Sequence, residues 1–80
     1  MNYIHYTNIL RDLLELKRGA RAMLDAAHKI DYFIDNEDIK DSIKTLMEHI
    51  KEIILDVDNT YYQIAQITSV NNNSKEEDEE

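Results

Sequence analysis

The 80-residue chain carries 9 basic and 17 acidic side chains, a formal net charge of −8, with no cysteine, no proline and a single glycine. That composition excludes disulfides, thiolate chemistry and thiol-rich zinc sites, opposes binding to a phosphate backbone, and leaves little punctuation for a fold of many strands and tight turns. A domain this small buries only ~60% of the surface its unfolded chain exposes, so further stabilisation is expected from a second copy or a protein partner.

The first predicted element is a helix over about residues 3–34. Tyr6, Leu13, Ala20, Ala27 and Ile34 recur every seven residues, and Ile9, Leu16, Met23 and Ile30 follow the first four of them by three. This 3-4 spacing puts all nine on one helix face, which Leu10, Leu24, Ala26 and Phe33 widen beyond a two-helix seam. The run Asp35-Asn36-Glu37-Asp38 then interrupts the pattern. Asn36 suits the left-handed conformation that closes a helix, Asp35 or Asn36 suits the N-cap of the next, and the acidic pair suits its first turn. So short a connection makes the two helices antiparallel neighbours.

A second helix is predicted over about residues 37–70. Ile43, Ile50, Val57 and Ile64 form one row, Ile39, Leu46, Ile53, Thr60 and Ile67 another, and Met47, Ile54 and Tyr61 flank them. The poor helix formers of Asp56-Val57-Asp58-Asn59-Thr60 could divide this helix, but the heptad continues through them and favours an unbroken or gently bent one. From Asn71 to Glu80 there is no apolar face, and half of the excess negative charge lies there. The expected architecture is an all-α antiparallel hairpin over 1–70, assembling into a helical bundle, with a disordered acidic tail over 71–80.

Leu10, Leu24, Met47, Ile54 and Tyr61 extend the stripes sideways and form the expected oligomer interface, a two-fold homodimer being favoured. Gly19, among Ala20, Ala22, Ala26 and Ala27, costs ~1 kcal/mol relative to alanine in mid-helix. It marks either a close helix approach at a dimer waist or a packing adjustment or kink. Arg11, Lys17, Arg18 and Arg21 could contact an anion or an acidic protein; the plainer alternative is a solvated face laced by Arg11–Glu15 and Arg21–Asp25 pairs. Tyr3, Tyr6, Tyr61 and Tyr62 are expected to gather with His5 at the open end of the hairpin. There they would either stack a base or nucleotide or seal the end of a bundle.

Asp56, Asp58 and Thr60 echo the start of a calcium loop, but Tyr61 stands where the loop needs glycine and Ile67 where it needs a bidentate acid. Asp25 with His28 and His49 with Glu52 lack the inward glutamates of a four-helix metal site, so no metal or other cofactor is expected. No glycine-rich phosphate loop, thiol or recognised serine–histidine arrangement offers catalysis. The expected function is that of a non-enzymatic interaction protein, an adaptor, regulator or inhibitor that self-associates and binds a protein partner. Two other readings stand beside it: capture of a small anionic ligand such as a nucleotide, and mimicry of nucleic acid by the carboxylates. Apolar runs far shorter than ~18 residues, and the lack of a cationic leader before an apolar core, imply a soluble, cytoplasmic protein.

Overall fold

A computed structural model describes the backbone of residues 3–79 and the side-chain surroundings of residues 5–68. Two helices, α1 (Tyr3–Phe33) and α2 (Glu37–Glu79), pack along each other as an antiparallel hairpin with overall extents of 66 × 16 × 15 Å. α1 ends one residue from its expected limit. α2 is continuous through 56–60, where the Thr60 hydroxyl donates back to the Asp56 carbonyl at 2.8 Å, a bond made within the helix. The α2 backbone continues to Glu79, past the end expected near residue 70. The disorder expected of the acidic tail concerns residues whose surroundings lie outside the described ones.

The turn is built by Asn36. Its side-chain Oδ1 accepts from the Ile39 amide at 3.1 Å, and its carbonyl accepts the first helical bond, from the Lys40 amide, at 2.9 Å. It is therefore the N-cap of α2, with Glu37 and Asp38 beside the positive end of the helix dipole. The left-handed residue expected to close α1 is absent: among the described residues none has positive φ. Instead the Ile34 amide donates one further helix-type bond to the Ile30 carbonyl at 3.0 Å, and Lys40 Nζ donates to the Asp31 carbonyl at 2.6 Å. A cation from α2 thus satisfies one of the carbonyls that every helix end leaves without an intrahelical partner.

Each helix gives two adjacent rows to the seam. On α1 the row Tyr6, Leu13, Ala20, Ala27, Ile34 alternates with Leu10, Lys17, Leu24 and Asp31; on α2 the row Ile43, Ile50, Val57, Ile64 alternates with Lys40, Met47, Ile54, Tyr61 and Thr68. All of these are buried or half-buried. The core is small: Ala20, Ala27, Met47 and Ile50, with Leu24, Ile43 and Ile54 packed against it. The two alanines leave the room that the larger Met47 and Ile50 fill, the large-against-small interdigitation that lets helices approach closely.

The second row of each helix therefore differs from expectation. Leu16, Met23 and Ile30 on α1, with Ile39, Leu46, Ile53 and Ile67 on α2, were expected in the seam and stay exposed. Both flanks of the first row carry apolar residues, and a helix with one neighbour can bury only one flank. The flank chosen contains Lys17, Asp31 and Lys40, whose charges are matched across the hairpin: Lys17 Nζ lies 2.7 Å from Asp58 Oδ1 and Lys40 Nζ 3.8 Å from Asp31 Oδ1. Charged seam positions of this kind fix the register of paired helices.

Candidate functional site

The exposed rows of the two helices fall on the same side of the hairpin. In an antiparallel pair, rows displaced in the same rotational sense from the seam emerge together, and the α1 row lies three residues after its seam row just as the α2 row does. Leu16 and Met23 from α1 and Ile53 from α2 accordingly line one open groove of about 690 Å³, with Gly19, Ala20 and Ile50 in its floor. These three wall residues are 61%, 55% and 48% exposed, whereas Ile50 beneath them is 2% exposed. Ile30, Ile39 and Leu46 prolong the apolar strip towards the turn.

Gly19 opens into this groove. A Cβ built on it would meet nothing within 4 Å, so the contact between α1 and α2 does not require glycine, and the packing-adjustment reading of Gly19 finds no neighbour in the hairpin to support it. Charge is distributed unequally around the molecule. The groove is bordered by Asp12 and Glu15, and the helix rows next to the apolar strip hold His5, Asp12, His49 and Asp56, while Lys29 lies on the row of Glu15, two heptads beyond it towards the hairpin turn. The opposite side carries Arg21, His28, Lys44, Lys51 and Asp58, the last paired with Lys17.

The residues expected to form an oligomer interface are taken up by the hairpin itself. Met47 is in the core, Leu24 and Ile54 pack against it, and Leu10 and Tyr61 are half-buried in the seam. This corrects their placement at the sides of the stripe: they lie four residues from the first row, where the partner helix sits, and the residues three away are the ones that face outward. The signal that could have separated the two flanks was charge, because Lys17 with Asp58 and Asp31 with Lys40 match only when the flank containing them faces the other helix.

The expected ligand contacts are not assembled into one site. Lys17 is held by Asp58, and the Arg11 guanidinium donates to Asn8 Oδ1 at 2.6 Å and not to Glu15. Arg18 and Arg21 are exposed, and the expected Arg21–Asp25 pair is not among the ion pairs of the described residues. Tyr6 and Tyr61 are half-buried in the seam, Tyr62 points away from it at the surface, and the side chain of Tyr3 lies outside the described residues. The ring contact among the described residues is Tyr32 with Phe33, edge to face at 5.1 Å beside the turn. The groove therefore offers an apolar floor and acidic rim, chemistry suited to aliphatic side chains and unsuited to an anion.

Among the described residues no helix is long and apolar enough to cross a membrane. Comparison of the chain with protein-family models, curated proteins and solved structures gives no match, so its functional reading rests on this surface.

Proposed function

We propose that this protein is a non-enzymatic helical interaction module, an adaptor, regulator or inhibitor of the cytoplasm, which works by docking the apolar side of the hairpin against another helical surface. The observation that carries this reading is the allocation of side chains between seam and surface. Leu16, Met23, Ile30, Ile39, Leu46 and Ile53 form an exposed strip while Lys17, Asp31 and Lys40 occupy seam positions. Contiguous apolar strips on soluble proteins mark contact surfaces, and a helix-in-groove contact is read by aliphatic anchors at three- and four-residue spacing. An uncharged, aliphatic groove floor favours such anchors over a nucleotide or other anion.

Co-purification from the native cell tests the role. The assembly recovered with the wild-type chain is expected to persist with Leu55→Asp, on the other side of α2, and to be lost with Leu46→Asp, which sets a charge in the strip. The converse sensitivity, loss with Leu55→Asp and retention with Leu46→Asp, overturns the assignment of the docking side.

A further inference from the structure

Building on that docking role, we infer that the occupant of the apolar side is a second copy of this chain, laid antiparallel across a two-fold axis at the level of Gly19 and Ile53. The register is the first reason. Lys17 abreast of Asp58 and Asp31 abreast of Lys40 bring Ile53 level with Gly19 and Ala20, and all three line the groove. The α1 row runs Ile9, Leu16, Met23, Ile30 and has its midpoint between Gly19 and Ala20; the α2 row runs from Ile39 to Ile67 and has its midpoint at Ile53. Two rows on different helices thus share one centre. A two-fold axis there, perpendicular to the helices, pairs Leu16 with the second copy's Met23, half-buried Ile9 with its Ile30, Ile53 with its Ile53 and Ile39 with its Ile67, and sets Leu46 against its Thr60, the one polar member of the rows. Such self-complementarity is what an isologous interface requires and what a foreign partner would have no reason to match.

Charge then selects the orientation. With the axis perpendicular to the helices, Asp56 comes beside the second copy's His49, because their midpoint lies within one residue of Ile53. With the axis parallel to the helices, Asp12 would instead face the second copy's Asp56 within ~8 Å along the bundle, two carboxylates on one border. The open space over Gly19 supplies the room for the close approach of the two α1 helices at the axis.

The chain has no native cysteine, which makes cross-linking unambiguous. Full-length protein carrying Ile53→Cys, at micromolar concentration under mild oxidant, is expected to form a disulfide-linked dimer about tenfold faster than Leu55→Cys, since only residues near the axis satisfy disulfide geometry across packed helices. Sedimentation equilibrium is expected to give twice 9.5 kDa for the wild type and a single copy for Ile53→Asp, with helical circular dichroism retained because Ile53 is not a core residue. A wild-type chain that sediments as a monomer overturns the second copy while leaving the docking role to the Leu46→Asp comparison. A dimer that cross-links through Leu55→Cys and not Ile53→Cys overturns the face. A dimer abolished by Ile53→Asp yet resistant to Ile53→Cys cross-linking overturns the antiparallel axis.

Discussion

Gly19→Ala separates the energetics of the hairpin from those of the pairing, because it is expected to act on them with opposite sign. Alanine in a helix interior is about 1 kcal/mol more favourable than glycine, and the added Cβ meets nothing within 4 Å, so the hairpin has no steric debit to set against that gain. In an Ile53→Asp background, where the hairpin stands alone, unfolding should become harder by about 1 kcal/mol. With a urea dependence near 1 kcal/mol/M for a small protein, the midpoint moves up by roughly 1 M. In the paired wild type the same methyl groups face each other across the proposed axis, where overpacking costs typically ~1–3 kcal/mol, so dissociation should rise by roughly 5- to 150-fold. Urea titration followed by circular dichroism reads the first effect, and sedimentation equilibrium over a concentration series reads the second. A lower midpoint in the single-hairpin background would show that Gly19 does have a neighbour in the hairpin. An unchanged or tighter dimer would remove Gly19 from the axis.

Ile50 is the least exposed core residue, 2%, and Ile50→Ala is expected to cost about 2–5 kcal/mol, most of the stability of so small a domain, whereas Leu55→Ala, at a surface position, should move the urea midpoint little. Asn36→Ala removes the acceptor for the Ile39 amide and should cost about 1 kcal/mol, most of which Asn36→Asp restores; thermal melts of the three chains decide it. A double-mutant cycle over Lys17→Ala and Asp58→Ala should return about 0.2–1 kcal/mol of coupling at low salt and close to none at 1 M salt, because the pair is 27% and 46% exposed. Deleting residues 71–80, where half the excess negative charge resides, should leave helicity and sedimentation unchanged, and a lower melting temperature would tie the tail to the hairpin.

Helix identity and topology were legible in the sequence because they depend on local chemistry. The heptads of apolar residues, the break at Asp35-Asn36 and the lack of proline leave an antiparallel hairpin as the direct outcome, and α1 stops within one residue of its expected end. Which flank of each helix meets the other was not legible from hydrophobicity. Leu16 and Leu24 are the same residue type on opposite sides of the Ala20 row, yet Leu24 is packed and Leu16 is left out, on the flank choice that also places Lys17 beside Asp58 and Lys40 beside Asp31. The same one-row rotation leaves Leu16, Met23 and Ile53 exposed where Leu24, Met47 and Ile54 were expected to be. Arg11 shows a second kind of miss: spacing alone offered Glu15 as a partner, but Asn8, one turn the other way, provides the acceptor.

The placement of charge in the seam has a consequence for how folding and association are linked. A seam holding Lys17, Asp31 and Lys40 buries less apolar surface than the neighbouring rows could, and four buried residues, Ala20, Ala27, Met47 and Ile50, are a slender core for two helices. Isolated helix pairs of this size gain most of their stability from packing an amphipathic face, not from propensity. If the more uniformly apolar rows are covered by a second copy, the hairpin contributes register and the pairing contributes most of the burial. Association then adds to the stability of a hairpin that folds by itself, and the melting temperature of the wild type rises with protein concentration while the lower one of Ile53→Asp does not. A concentration-independent melt of the wild type would place the stability in the hairpin alone and leave its apolar side to a different occupant.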